Sequence, residues 1–147
     1  MRIYLDACCL SRLTDEQSQL RVRAEADAIE KILRMVRNGA ATWVSSTILN
    51  IEVSRNPDSA RRREAEALLS FANEVVAPSR ASADRARHIE ELGIRAFDAL
   101  HLASAEQGNA EIFLTTDDDL RRRSRRSAGR LRVRVENPVS WYMEVQS

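Results

Sequence analysis

The sequence has few of the residues that dedicated metal or disulfide frameworks use. His88 and His101 are its only histidines, and its only cysteines, Cys8 and Cys9, are adjacent. Two histidines are too few for the usual zinc sites, and neighbouring cysteines do not form an ordinary disulfide framework. This cysteine usage fits a reducing compartment, so we expect a cytoplasmic protein.

Long hydrophobic runs are absent as well. No window approaches the apolar length of a membrane span, and the N-terminus has no signal-peptide core. We therefore expect no membrane partner. The 147 residues are 44% hydrophobic and 31% charged, which is enough for one domain, residues 1–147, with a substantial core.

Lysine is nearly missing, because Lys31 is the only one and every other basic side chain apart from histidine is arginine. A net charge of +1 does not by itself indicate a nucleic-acid-binding protein. Compositional drift in a GC-rich genome explains the arginine enrichment, although arginine also suits bidentate phosphate contacts. The composition leaves nucleic-acid binding open.

Short apolar segments alternate with helical patterns along the chain. Strands are predicted at 2–5, 41–46, 74–77, 111–116 and 130–135. Helices are predicted at 17–37, 47–55, 58–73, 82–92 and 92–108, with a short one from Pro138 onward. This alternation predicts an α/β fold, a three-layer α/β/α sandwich with a central, mostly parallel five-stranded sheet.

Four carboxylates lie where charged groups are uncommon. Asp6 and Asp117 directly follow the first and fourth predicted strands, at the edge where parallel sheets bind ligands. Glu52 and Asp98 lie in predicted helices among apolar neighbours, where an unpaired carboxylate is costly. Turn or helix caps and buried arginine pairs explain each acid alone. Together they are hard oxygen ligands, so we predict that all four bind Mg²⁺ or Mn²⁺.

The four acids lie in segments that resemble a known family. The segments "IYLDACCL", "SSTILNIEVSR", "GIRAFDALHLASA" and "FLTTDDDL" are similar, in order and approximate spacing, to the acidic motifs of PIN domains. PIN domains are small α/β ribonuclease folds, and many bacterial members are toxins of VapBC toxin–antitoxin pairs. The resemblance implies metal-binding and catalytic roles for Asp6, Glu52, Asp98 and Asp117, and it places the family's hydroxyl residue at Thr115.

The resemblance also implies an activity and has one departure. It implies a metal-dependent endoribonuclease that leaves a 3′-hydroxyl and a 5′-phosphate, with RNA as substrate and a cognate antitoxin as a candidate partner. Many members have Asn or Ser where this chain has Cys8. A thiol is a poor hydrogen-bonding neighbour for an oxygen-ligated ion, so a catalytically weak or inactive PIN-fold module that binds RNA or protein is the alternative.

A receiver-type or phosphoryl-transfer protein with an aspartate acceptor is a second alternative from another class. Such a site needs another Asp two residues after the first, or a lysine near a late strand end. This chain has Cys8 at the first position, and its single lysine, Lys31, lies within a predicted helix. Both residues argue against that class.

Residues around the acids leave several interpretations open. Asp119 either belongs to a solvated helical turn or reaches the metal through water. His101 either pairs with Asp98 one turn earlier or is a satisfied, half-buried histidine. Eight arginines between Arg121 and Arg134 form either a solvated helix face or an RNA-backbone contact. The residues assigned to RNA binding are Arg121, Arg122 and Arg123. Exposure of Trp141 and Tyr142 would suggest a homodimer.

Overall fold

The computed structural model describes residues 1–147. Its strands are β1 (Arg2–Leu5), β2 (Thr42–Ser46), β3 (Glu74–Val76), β4 (Ile112–Leu114) and β5 (Arg134–Glu136). They form one sheet of order β3-β2-β1-β4-β5, and all four neighbouring pairs are parallel. The predicted α/β class and five-stranded sheet are confirmed.

Eight helices cover the sheet, and the strands supply the core on both faces. The helices are α1 (Ala7–Arg12), α2 (Leu20–Arg37), α3 (Thr47–Ser54), α4 (Ser59–Leu69), α5 (Arg80–Glu91), α6 (Ala96–Gln107), α7 (Asp118–Arg126) and α8 (Pro138–Gln146). Successive strand residues point to opposite faces. Ile3 and Leu5 therefore pack with α1, α2 and α8, whereas Tyr4 packs with α5, α6 and α7. This division produces the three layers.

The predicted helix 92–108 begins too early. Gly93 has a positive φ of 93° after the end of α5, and α6 starts only at Ala96. Ile94 lies between the two helices and is 3% exposed, so the apolar pattern continues through the break and resembles one helix. The correction moves Asp98 from mid-helix to the first turn of α6. Phe97 beside it is 42% exposed, so this turn is not deep in the core.

The predicted strand 130–135 is displaced to Arg134–Glu136, and α1 was not predicted. The residues before β5 form a 3₁₀ turn at Ala128–Arg130. Arg85 donates to the Arg130 carbonyl at 2.6 Å, and Glu106 accepts from the Arg132 amide at 3.0 Å. These contacts from α5 and α6 use backbone groups that a longer strand would have paired with β4.

The last helix packs on the core. Trp141 of α8 is 3% exposed within the first core cluster, and Tyr142 is partly buried, with its ring centroid 5.7 Å from Nζ of Lys31. These residues do not form the exposed aromatic patch considered for self-association, and a homodimer remains a prediction. None of the helices combines the length and apolarity that crossing a membrane requires.

Gly108 provides a test of the contact between α6 and β2. A Cβ at this position would overlap Cγ1 of Val44 and lie 3.3 Å from Cγ1 of Val76. Valine is stiff at χ1, so we expect Gly108→Ala to lower the free energy of unfolding by about 2 kcal/mol. Urea unfolding measures the change. Gly129→Ala is the control, because nothing lies within 4 Å of its Cβ position. Equal stability of the two variants would contradict the close approach.

Candidate metal centre

Asp6 lies at the carboxyl end of the central strand. It follows β1 as the N-cap of α1, and its Oδ1 accepts a hydrogen bond from the Ala7 amide at 2.9 Å. Its Oδ2 accepts from the Thr115 hydroxyl, also at 2.9 Å. Burial raises the pKa of Asp6, whose residue is 8% exposed. The carboxylate is thus both a helix cap and a buried charge held in one orientation.

Asp117 lies beyond the end of the neighbouring strand, β4. It is the N-cap of α7, and its Oδ1 accepts from the amides of Asp119 and Leu120 at 3.0 and 3.2 Å. Its own amide donates at 3.1 Å to Thr115 Oγ1, the hydroxyl that also binds Asp6. Because β1 and β4 are adjacent, Thr115 connects the two strand ends that carry these acids.

Glu52 reaches the same edge from α3. Its side chain is 36% exposed, and Oε1 lies 2.7 Å from Nε2 of His101 on α6. One ligand atom from each of Asp6, Glu52 and His101 lies within 4.8 Å of the others. His101 was not predicted as a site residue, and it pairs with Glu52 rather than with Asp98. The only sequence signal for it was its position one turn after Asp98.

Asp98 approaches this group from the first turn of α6. Burial, followed by the negative charges of Asp6 and Asp117, raises its pKa to about 6. Asp6 in turn feels the charge of Glu52. The four predicted acids therefore interact at one edge of the sheet. Asp98 and Asp117 nevertheless fall outside the tighter group formed by the other two acids and His101.

The four carboxylates differ in their partners from the two buried glutamates, Glu25 and Glu106. Glu25 and Glu106 each bind an arginine at 2.7 Å. None of the four edge acids forms a salt bridge with arginine or lysine, and only Glu52 has a basic partner, His101. Crowded oxygen donors without an arginine or lysine partner fit a hard divalent cation such as Mg²⁺ or Mn²⁺.

Cys8 lies directly against these acids. Its Sγ is 3.6 Å from Asp6 Oδ2 and 3.3 Å from Thr115 Oγ1, and it accepts a hydrogen bond from the Thr116 amide at 3.3 Å. The thiol thus occupies the space beside the carboxylate where the family resemblance places Asn or Ser. Cys9 is fully buried and packs with the core.

The arginines predicted to bind RNA lie on α7, the helix that Asp117 caps, and they pair with acids of that helix. Arg121 binds Asp118 at 3.2 Å, whereas Arg122 and Arg123 bind Asp119 at 3.4 and 2.8 Å. The pairs with Arg123 and Arg122 lower the pKa of Asp119 and hold its carboxylate against these arginines. Arg123 also donates to the Gly93 carbonyl at 2.6 Å. Arg122, with 63% of its side chain exposed, is the most available of the three.

Comparisons with known proteins agree with this architecture. A family model described as the PIN domain matches residues 3–126. VapBC2 from Rickettsia felis, bound to a DNA fragment from the promoter, has a TM-score of 0.63 and 18% identity, covering 93% of this chain and 98% of that chain. FitAcB from Neisseria gonorrhoeae has a TM-score of 0.60 and 20% identity, with coverages of 92% and 97%.

VapBC-1 from nontypeable Haemophilus influenzae is similar to the same extent. Its TM-score is 0.60 at 17% identity, and the match covers 94% of this chain and 98% of that chain. At such identities the likeness establishes the fold. No curated protein matches the sequence significantly.

Proposed function

Because the chain belongs to the PIN-domain family, we propose that it is a divalent-metal-dependent endoribonuclease that cleaves single-stranded or looped RNA. The observation that carries this proposal is the group of four interacting carboxylates without an arginine or lysine partner in a chain with 23 such residues. Bringing these charges together is costly without a cation. An RNA backbone that is not paired bends into such a cleft more readily than a duplex does.

The side chains have distinct roles in this proposal. The ion, Mg²⁺ or Mn²⁺, would be held by Asp6, Glu52, Asp98 and Asp117. It would supply charge neutralisation at the scissile phosphate and make the attacking water more acidic. The Thr115 hydroxyl orients Asp6 by donating to its carboxylate, and it holds Asp117 by accepting from the Asp117 backbone amide. Asp119 would hold Arg122 and Arg123 close to the metal site through its salt bridges with them. The products would carry a 3′-hydroxyl and a 5′-phosphate.

We extend the proposal to a protein partner. Two of the similar solved structures are VapBC proteins, and VapBC pairs are toxin–antitoxin systems, so we propose a cognate antitoxin. Production of the chain alone in the cytoplasm should arrest cell growth. Co-expression with the product of a short upstream reading frame should restore growth. Arrest that no neighbouring gene relieves would count against this partner.

The proposed activity is tested with purified protein, a labelled single-stranded RNA, Mg²⁺ or Mn²⁺, and a chelator. Cleavage should require an ion, stop with the chelator and return when excess metal is added. Cleavage that continues in chelator would overturn the metal-dependent mechanism. RNA binding without cleavage in either metal would support the inactive binding module, and Cys8→Asn would then show whether the thiol beside Asp6 is responsible.

Arg122 is expected to contribute a phosphate contact. Arg122→Ala should weaken RNA binding across sequences and reduce the slope of log K against log salt by about 0.7, the value for one single-strand phosphate. Filter binding at several salt concentrations measures the slope. Arg37→Ala is the matched control. Arg37 is exposed at the end of α2, which precedes β2, so it lies toward the amino ends of the strands and away from the four acids at their carboxyl ends. An unchanged slope in Arg122→Ala would assign that side chain to solvent.

A further inference from the structure

A buried hydrogen-bond chain runs from the start of α3 to the Glu52 carboxylate on the same helix. The Tyr4 hydroxyl lies 2.7 Å from Ser46 Oγ and 2.7 Å from His101 Nδ1. The other ring nitrogen of His101, Nε2, lies 2.7 Å from Glu52 Oε1. Tyr4 and Ser46 are fully buried, and His101 is 1% exposed. The hydrogen bonds thus lead from Ser46 at the end of β2 to β1, then to α6 and on to Glu52 of α3.

The chemistry of the groups gives this chain a direction. A carboxylate only accepts hydrogen bonds, so His101 Nε2 carries the proton that binds Glu52. In the neutral ring Nδ1 then accepts from the Tyr4 hydroxyl, and the Tyr4 oxygen accepts from Ser46. Ser46 Oγ already accepts from the Leu49 amide at 3.0 Å, as the N-cap of α3. Every proton in the chain has one acceptor.

The arrangement leaves one oxygen of Glu52 free. Oε1 is occupied by His101, and Oε2 accepts no hydrogen bond from the protein. A half-exposed glutamate has several rotatable bonds, so an unsupported side chain would lose conformational freedom when it binds an ion. With Oε1 held by His101, the Glu52 carboxylate stays within reach of Asp6, because one ligand atom of each acid lies within 4.8 Å of the other. Buried partners that orient ligands in this way tune metal affinity.

We propose that His101, itself fixed by Tyr4 and Ser46, is the positioning residue that holds Glu52 ready to bind the divalent ion. This inference deepens the proposed function and rests on it. His101 does not bind the ion in this arrangement, because both ring nitrogens are already used. Tyr4 keeps its packing independently of the hydroxyl, since its ring stacks on Phe113 with centroids 5.1 Å apart.

The first experiment measures Mn²⁺ affinity by calorimetry, without RNA. His101→Leu should weaken binding by about 10- to 100-fold, the usual loss when an outer-shell partner is removed. His101→Gln should restore most of it, because its amide places an N–H where Nε2–H lies. Tyr4→Phe should weaken binding less than His101→Leu. Tyr142→Phe removes a hydroxyl that does not belong to this hydrogen-bond chain, so this variant should bind Mn²⁺ as tightly as wild type. Melting curves in chelator show that each variant is folded.

The second experiment observes the imidazole nitrogens directly by ¹H–¹⁵N NMR. The exposed His88 is the internal reference, as the only other histidine. His101 should appear as the tautomer protonated at Nε2, and that proton should persist when Mg²⁺ is added. Tyr4→Phe should shift the Nδ1 signal. Loss of the Nε2 proton on Mg²⁺ binding would make His101 a ligand and overturn the positioning role.

The outcomes separate this inference from the function on which it rests. A wild-type protein that binds neither Mn²⁺ nor Mg²⁺ would overturn both. Normal Mn²⁺ binding by wild type together with unchanged affinity in folded His101→Leu would overturn the role of His101 and leave the metal site intact. Should His101→Leu fail to fold, the role of His101 is decided by the Mn²⁺ affinity of Tyr4→Phe and by the His101 tautomer seen by NMR. Tyr4→Phe is suitable because it keeps the buried aromatic ring.

Discussion

Asp98→Asn is expected to reduce cleavage of single-stranded RNA by at least about a hundredfold, the scale of losing several kcal/mol of transition-state stabilisation. Asparagine keeps the size of the side chain but removes the charge that a divalent ion requires. RNA binding should persist, because arginines rather than acids contact the phosphates in the proposed mechanism. Rates are compared at saturating Mn²⁺ with equal amounts of folded protein.

The matched control is Asp84→Asn on α5, where the carboxylate is 54% exposed and pairs with Arg87 on the surface. This variant should cleave RNA as wild type does. Full activity of Asp98→Asn would remove Asp98 from the site. A variant that does not fold would instead indicate a structural role for this carboxylate.

The same substitution has an expected pH signature in chelator. Burial and the charges of Asp6 and Asp117 raise the pKa of Asp98 to about 6. Because the pKa of Asp98 is higher in the folded than in the unfolded protein, the protonated carboxyl stabilises the folded state relative to the ionised one. This stabilisation is complete below about pH 4 and is lost as the pH rises through about 6. Asp98→Asn should therefore melt above wild type at pH 7, and the difference should shrink near pH 4. Thermal unfolding at both pH values measures it.

Glu25→Ala is expected to lower the free energy of unfolding by about 3 kcal/mol, because it removes one partner of a buried ionic network. Glu25 is 1% exposed on α2. Its carboxylate binds Arg12 at 2.7 Å and Arg21 at 3.2 Å, and it accepts from the Asn137 amide group at 2.7 Å. Alanine leaves the Asn137 donor buried without a partner, which is costly by itself. Urea unfolding monitored by tryptophan fluorescence measures the loss.

Asp27→Ala is the control on the same helix. Asp27 is 61% exposed and pairs with Lys31 one turn later, so its removal should cost about 0.5 kcal/mol or less. If the two variants unfold at the same urea concentration, Glu25 does not connect α2 to the start of α8 as the structure shows. A large loss in Glu25→Ala alone attributes the effect to burial and shared contacts rather than to charge.

Local patterns were sufficient for most of the fold. Strands β1 to β4 lie within the predicted segments because short apolar runs bounded by turn residues are a local signal. Asp6 and Asp117 could be located at strand ends for the same reason. The start of α3 follows a local rule as well, because Ser46 caps this helix by accepting from the Leu49 amide.

The errors occurred where a local pattern and a backbone conformation disagree. Apolar periodicity does not register the positive φ of Gly93, so α5 and α6 were joined without a turn and Asp98 was placed mid-helix. The start of β5 was misplaced because Glu106 binds the Arg132 amide, 26 positions away in sequence. Neither local propensity nor spacing contains that contact.

The sequence by itself determined the order of the five strands and of all helices except α1, and it identified four acids at strand ends or among apolar helix residues. Only the tertiary structure decided what each acid meets. It pairs Glu52 with His101 across 49 positions and leaves the four edge acids without an arginine. The physical reason is that such partners are chosen by the strand order β3-β2-β1-β4-β5, which brings α3 and α6 to the same edge as Asp6. Residue periodicity describes one element at a time, whereas a charge buried between elements depends on all of them.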